Sequence, residues 1–212
     1  MSELNDLPRN IVPADFFALI LGSLDGAQMR GEAVDEHALL RLDGPGGGVW
    51  SVNSPGGEPR IDPVDGDTNP AVVQVSLRVS DWREWVAGRI RDELATSTEV
   101  NLLDPRTLLK ILSCPSALEI VRTLSGDLQV VVPDREEALD YVATVTLGGG
   151  TPSVEKPTTK VTVSLKDIGR MVRDEESPQE AFFTGKIRVD GDMNLAMAMV
   201  TVVSELRNAA VS

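Results

Sequence analysis

The residues best able to do chemistry in this 212-residue chain are few and isolated. The single histidine, His37, follows Asp35 and Glu36, but a metal site needs further nitrogen or sulfur ligands at suitable spacing, so a solvated loop explains these residues better. Cys114 is the only cysteine, and it has no adjacent histidine to activate it. The acidic segment from Ile61 to Pro70 lacks the spacing of a calcium loop. The residue types give no enzyme signature, no metal site and no cofactor, which favours a non-catalytic role.

Two pairs of large apolar residues are better candidates for a function. Met193 and Met197 lie four residues apart on one stripe of the last predicted helix, where flexible thioether side chains suit either a wall for varied apolar ligands or simple core filling. Trp82 and Trp85 lie three residues apart on an earlier predicted helix. A core, a ligand pocket and a contact between domains all explain this tryptophan pair, so the three interpretations stay open.

The elements that position the methionines follow from the segment between Phe182 and Met197. Ile187 and Val189 alternate with Lys186 and Arg188, which predicts a strand with one apolar and one charged face. An Asp-Gly-Asp turn follows the strand directly, and a methionine-rich helix follows the turn. The segment therefore predicts a strand, a tight turn and a helix that is apolar on most sides.

Gly185-Lys186-Ile187 and Gly191-Asp192 resemble the closing motif of the sterol-carrier-protein family of lipid-binding domains, and the resemblance extends from about Leu128 to Leu206. It implies a five-stranded mixed sheet with helices on one face, a cavity between sheet and helices, and no catalytic residue. The ligand-binding residues that it implies in this chain are Ile168, Met171, Val172, Phe182, Phe183, Ile187, Met193, Met197 and Val200. The tryptophans Trp82 and Trp85 are added to them as candidates from the first half.

Segments of the first half of the sequence also resemble segments of the second half. Residues 75–86 align with residues 161–172 without a gap, at an offset of 86 residues, and the glycine turn after Val52 matches the glycine turn after Val145. The order helix, strand, hairpin, strand, helix, strand, helix recurs in both halves. We therefore expect an α+β protein of two tandem sterol-carrier-like modules, residues 1–112 and 113–212, each with a five-stranded mixed or antiparallel sheet and helices on one face.

The first module departs from the motif, because Glu99-Val100-Asn101 stands where the second has Gly185-Lys186-Ile187. Its extra segment from Ile61 to Pro70 is rich in Pro, Gly and Asp, which predicts a loop. Only three residues separate the last helix of the first module from the first helix of the second. The two modules are therefore expected to pack together, with the second holding the ligand and the first supporting it.

The net charge of −13 argues against nucleic acid as a partner, because binding to a phosphate backbone depends on Lys and Arg. No apolar segment is long enough for stable membrane insertion, and the start lacks the positive charge of a secretory signal, so a cytoplasmic protein is expected. The sequence is compatible with a homodimer and does not predict the oligomeric state.

We expect the chain to bind or transfer an apolar small molecule, such as a lipid, an acyl chain, a terpenoid or a polyketide, in a hydrophobic cavity. Two alternatives remain at this stage. A cyclase of secondary metabolism would use the same cavity, and polar residues such as Arg173, Tyr141 or Asp167 facing into it would favour that function. A protein-interaction module would have its cavities filled by side chains and would present the Trp82 and Trp85 face to a partner.

Overall fold

The computed structural model describes residues 7–23, 34–65, 70–94, 105–134, 139–173 and 175–211. The elements of the first half are α1 (Pro13–Ser23), β1 (Val34–Asp43), β2 (Gly48–Ser54), β3 (Arg60–Pro63), β4 (Val73–Arg78), α2 (Val79–Ala87), α3 (Arg89–Leu94) and α4 (Pro105–Ser113). Those of the second half are α5 (Pro115–Thr123), β5 (Gly126–Asp134), β6 (Leu139–Leu147), β7 (Thr159–Val163), α6 (Leu165–Val172), α7 (Pro178–Phe183), β8 (Ile187–Gly191) and α8 (Met193–Val211).

One sheet of eight strands runs through both halves in the order β3-β2-β1-β4-β6-β5-β7-β8. The halves meet where β4 and β6 pair antiparallel, from Val73 opposite Leu147 to Leu77 opposite Ala143. The predicted α+β class with a mixed sheet is confirmed. The strands nevertheless form one continuous sheet rather than the two five-stranded sheets expected from the sequence.

The two halves repeat the same strand topology. In the first half β1 pairs antiparallel with β2 and parallel with β4, and in the second β5 pairs antiparallel with β6 and parallel with β7. The register repeats as well, because Leu40 lies between Trp50 and Val75 just as Val130 lies between Ala143 and Val161. The internal match that the sequence predicted therefore corresponds to a repeated arrangement of paired strands.

At one position in the sheet each half lacks a strand of its own, and a strand of the other half takes that place. Beside β7 lies β8, whereas the matching position beside β4 is taken by β6 from the second half. Beside β2 lies β3, whereas the matching position beside β6 is taken by β4 from the first half. The residues that the sequence aligns with β8 are 101–105, of which 101–104 lie outside the described residues and Pro105 begins α4. An unpaired strand edge leaves backbone N–H and C=O groups exposed, and the pairing of β4 with β6 covers one edge of each half.

Two details of the sequence prediction need correction. Arg60–Pro63, which contains the start of the predicted loop, is strand β3 and pairs with β2. It is an edge strand, where a proline is tolerated because one side of the strand needs no ladder hydrogen bonds. The glycine turn at Gly148–Gly150 does not close a hairpin, because the next strand, β7, pairs with β5 and β8 instead of β6.

The helices of the described residues cover one face of the sheet, as predicted. Strand β6 shows why: Tyr141, Ala143, Val145 and Leu147 share one face and all belong to the buried apolar clusters, whereas the other face carries Val142, Thr144 and Thr146. The main core joins that face to α1, α2, α4, α5 and α8. No helix among the described residues has both the length and the apolar character needed to cross a bilayer.

Candidate functional site

Helix α7 comes first in the closing motif, and side-chain hydrogen bonds cap its N-terminus. Ser177 and Glu180 form a capping box, in which the Ser177 Oγ accepts from the Glu180 N–H and the Glu180 carboxylate accepts from the Ser177 N–H at 2.9 Å. The hydrogen bond from the Ser177 backbone lowers the pKa of Glu180 below its usual value, and the bond from its hydroxyl adds to this. The helix stops before Gly185, whose φ of +74° is the left-handed conformation that favours glycine.

The Gly-Asp turn before α8 has a structural role. A Cβ on Gly191 would lie 2.2 Å from the Thr158 carbonyl oxygen, and its φ of +109° also disfavours a side chain. Asp192 then starts the last helix, because its Oδ1 accepts from the Asn194 N–H at 2.8 Å. Of the predicted turn residues, Gly191 therefore allows β8 to pack closely against the chain before β7, and Asp192 caps the start of α8.

Exposed apolar side chains concentrate in this same segment. Phe182 is 37% exposed, Phe183 85%, Met193 37% and Met197 50%, and these four make up half of the eight large hydrophobic residues exposed in the described parts of the chain. The two phenylalanine rings contact each other edge-on, with centroids 5.8 Å apart. We call these four residues, which are grouped by their exposure and by their closeness in the sequence, the C-terminal apolar patch.

The other described residues proposed from the resemblance are less exposed than this patch. Ile187 on β8, Met171 on α6 and Val200 on α8 are half-buried, whereas the side chain of Val172 lies outside the described residues. The opposite side of α8 is buried in the main core through Leu195, Ala196, Met199, Val202 and Leu206. Helix α8 therefore has one side fixed in the protein and another that is open.

A second apolar group forms where the two halves meet. Ile90, Val132 and Tyr141 are buried together, and half-buried residues surround them. The half-buried members are Trp85, Leu94, Val130, Leu165 and Ile168. We call these eight residues the junction cluster. It brings together Trp85 and Ile168, which the sequence proposed separately, and it adds residues of α3 that the sequence reasoning missed. The four-residue spacing of Ile90 and Leu94 is the signal that would have identified them.

Trp82 lies elsewhere, in the core of the first half. Its side chain is fully buried and contacts Phe16 edge-on at 5.2 Å and Phe17 at 6.1 Å, measured between ring centroids. This packing favours the core interpretation among the three that the sequence left open. The indole Nε1 atoms of Trp82 and Trp85 are both buried, and neither has a hydrogen-bond partner among the described residues.

A polar group borders the junction cluster. The Tyr141 hydroxyl donates to Asp134 Oδ2 at 3.2 Å, and the Arg89 guanidinium pairs with the same oxygen at 2.8 Å. Burial is the largest cause that raises the pKa of Tyr141 to about 12, and the negative charges of Glu84 and Asp134 contribute to the same shift. Tyr141 is therefore a neutral hydrogen-bond donor engaged by a carboxylate at neutral pH.

The other residues considered for catalysis are also engaged in structural contacts. Asp167 is held by the Ser164 hydroxyl at the start of α6, and Arg173 pairs with Glu175 at 2.9 Å and with Glu93 of the first half at 3.1 Å. Both are in α6 or immediately after it. The described residues bring no three His, Cys, Asp or Glu side chains together in a way that could hold a metal ion.

Contacts between α3 and α6 join the halves beside the junction cluster. A Cβ on Gly169 would lie 2.4 Å from Glu93 Oε1, so the glycine allows the two helices to approach closely. Asp81 at the start of α2 is buried and accepts from the Val142 N–H of β6 at 3.1 Å. The first half therefore contacts the second both through the sheet and through its helices.

Comparison with known families matches residues 107–204 to the model of the SCP-2 sterol transfer family. Among solved structures, the sterol carrier protein domain 2 of Helicoverpa armigera is 26% identical, with a TM-score of 0.32, and the match covers 49% of this chain and 90% of that one. The apo form of sterol carrier protein 2 from Yarrowia lipolytica is 18% identical, with a TM-score of 0.34, covering 56% and 87%.

The palmitated SCP2L2 of Aedes aegypti is 20% identical, with a TM-score of 0.31, and the match covers 59% of this chain and 93% of that one. No curated protein matches the sequence significantly. The family match starts within α4 and ends within α8, so it contains the whole closing motif. The resemblance of the second half of this chain to the SCP-2 sterol transfer family is thereby confirmed.

Proposed function

We propose that the second half of the chain, residues 113–212, binds an apolar small molecule such as a lipid, an acyl chain, a terpenoid or a polyketide without reacting with it, and that residues 1–112 support this half. The observation that carries the proposal is the C-terminal apolar patch within the region that matches a sterol transfer family. Exposed apolar side chains that cluster on the surface of a soluble protein usually mark a binding site.

The position of the ligand follows from the elements around the patch. Strand β5 contacts both α6 and α8, so a molecule lying along β5 between these helices would touch Ile168 and Met171 on one side and Met197 and Val200 on the other. Phe182, Phe183 and Met193 would cover its outer end. These are seven of the nine residues that the resemblance assigns to ligand binding, the other two being Val172 and Ile187.

The energy of such binding comes from desolvation. Covering about 200 Å² of apolar surface on the protein contributes about 5 kcal/mol at about 25 cal/mol per Å². A non-catalytic role is supported by the polar side chains near the region, because Asp167 and Arg173 already have structural partners. The Trp82 face is not available to a protein partner, since that side chain is fully buried.

The proposal is tested by equilibrium dialysis of the full chain against 2-hexylnaphthalene, a fluorescent fatty acid and a sterol. Met197→Gln should weaken binding about fivefold, because a half-exposed methionine loses about 1 kcal/mol of contact with the ligand. Leu139→Gln is the matched control, since Leu139 is 55% exposed on β6 and lies outside the proposed site. Failure of all three probes to bind, or equal weakening by both substitutions, contradicts the proposed function.

The 85% exposure of Phe183 favours a second candidate function, the docking of a second copy of this chain. In that case Phe183→Ser would dissociate a complex that the wild-type chain forms in solution, without changing the affinity for apolar probes. Sedimentation velocity of the wild-type chain and of the Phe183→Ser variant measures whether the complex forms.

A further inference from the structure

The junction cluster contains one polar group that the fold does not use. The Nε1–H of Trp85 is buried, and none of the described residues accepts a hydrogen bond from it. Burying an N–H group without an acceptor costs free energy, so native proteins usually supply a partner. Trp85 packs against both the main core and the apolar side chains of this cluster, several of which are only half-buried, so the cluster reaches the protein surface although the Nε1 atom itself is covered.

The charges beside the cluster determine which acceptor would fit. Asp134 and Glu84 are acidic, and the cation Arg89 is paired with Asp134 at 2.8 Å. Besides burial, which is the largest cause, the charges of Glu84 and Asp134 raise the pKa of Tyr141 in this cluster. A ligand carboxylate would be repelled here, whereas a carbonyl or hydroxyl oxygen carries no charge and can accept from the indole.

We propose that the first half of the chain contributes Trp85 as a specificity-determining residue, which donates a hydrogen bond from Nε1 to a neutral carbonyl or hydroxyl oxygen of an otherwise apolar ligand. This inference rests on the proposed function, since it names the ligand class of that site. The preferred ligands are ketones, esters or alcohols with an apolar body, in preference to free fatty acids. Ile168 connects the two parts of the site, because it belongs both to the junction cluster and to the ligand walls on α6.

The same helix provides a matched control. Trp82 lies three residues earlier on α2 and also has a buried Nε1 without a partner among the described residues, but it packs against Phe16 and Phe17 in the core of the first half. Trp82→Phe and Trp85→Phe make the same chemical change at two places. Only the second should alter the choice of ligand.

The test compares 2-hexanoylnaphthalene, which has a carbonyl, with 2-hexylnaphthalene, which does not, by equilibrium dialysis of the full chain. Trp85→Phe should weaken binding of the ketone about fivefold, the effect of one neutral hydrogen bond, and change the affinity for the hydrocarbon less than twofold. Trp82→Phe should leave the ratio of the two affinities unchanged. Equal effects of Trp85→Phe on both probes, or no effect on either, overturn the inference while leaving the proposed function intact.

A measurement on the unsubstituted chain covers the case in which Trp85→Phe disturbs the fold. The three tryptophans give three indole N–H signals in a proton–nitrogen correlation spectrum. The Trp85 signal should move downfield with the ketone and not with the hydrocarbon, whereas the Trp82 signal should stay in place. A Trp85 signal that responds alike to both probes overturns the inference. If neither probe binds, the proposed function fails as well.

Discussion

Alanine substitutions at two glycines of the closing motif should have clearly different effects on stability. Both glycines have positive φ, +74° at Gly185 and +109° at Gly191. A Cβ on Gly185 would meet no atom within 4 Å, so Gly185→Ala should cost only the left-handed conformation, about 1–2 kcal/mol.

Gly191→Ala adds a steric clash to the same conformational cost. Its Cβ would lie 2.2 Å from the Thr158 carbonyl oxygen and 3.0 Å from the Thr159 Cα, and the 2.2 Å contact is with backbone, which cannot rotate away as a side chain can. Gly191 pairs with Thr159 at the end of the β7–β8 ladder, so that end of the strand pair must separate. Overpacking of this kind costs about 1–3 kcal/mol, which places the total at about 2–5 kcal/mol.

Urea unfolding measures both costs, followed by tryptophan fluorescence and by far-ultraviolet circular dichroism. All three tryptophans lie in the first half, whereas both substitutions lie in the second. Because one sheet joins the halves, the two signals should give the same midpoint for each protein. Equal stability of the two variants would refute the backbone contact at Gly191. A fluorescence midpoint that Gly191→Ala leaves unchanged would refute cooperative unfolding of the halves.

Further predictions concern pH and buried polar groups. The pKa of the only tyrosine, Tyr141, is raised to about 12, so at pH 10.5 its absorbance near 295 nm should show almost no tyrosinate in the folded protein and mostly tyrosinate in urea. Since the folded-state pKa is the higher one, this group's contribution to stability is complete below about pH 10 and is lost as pH rises towards 12, which an unfolding series at pH 8–11 measures. Asp81→Ala should cost about 2 kcal/mol because it removes a buried carboxylate that accepts from the Val142 N–H and pairs with Arg78, whereas Asp92→Ala, at a 59% exposed side chain, should change stability by less than about 0.5 kcal/mol.

Several parts of the fold follow from local sequence patterns. Alternation predicts that one face of the strands is apolar, and Tyr141, Ala143, Val145 and Leu147 of β6 form such a face, which packs against the described helices. Glycine and aspartate predict the turn at Gly191, where a close backbone contact leaves no room for a side chain. These features depend on residues near one another in the chain, and the repeated topology is visible because both copies use the same local signals.

The joining of the halves could not be predicted in the same way. Strand pairing between β4 and β6 depends on which edges are left uncovered, and the alternation within Val73–Arg78 does not specify a partner strand. Strand β3 was missed because its proline resembles a loop signal, although an edge strand tolerates it.

The candidate site divides similarly between predictable and unpredictable parts. The motif identifies the residues of the C-terminal apolar patch, whereas the meeting of Trp85 with Ile168 depends on how α2, α3 and α6 pack across the two halves. The unpartnered indole N–H of Trp85 is also a property of the packed structure, since composition gives no information on hydrogen-bond partners.

The most direct test of the central claim, that an apolar molecule binds along α6 and α8 in the second half, is methionine methyl NMR during titration with 2-hexylnaphthalene. The methyl signals of Met171, Met193 and Met197 should shift together and saturate, because these side chains are half-buried or exposed around the proposed site. Met199, which is 5% exposed and packs on the core side of α8, should shift much less. The absence of saturable shifts at Met193 and Met197, or shifts largest at Met199, would contradict the claim.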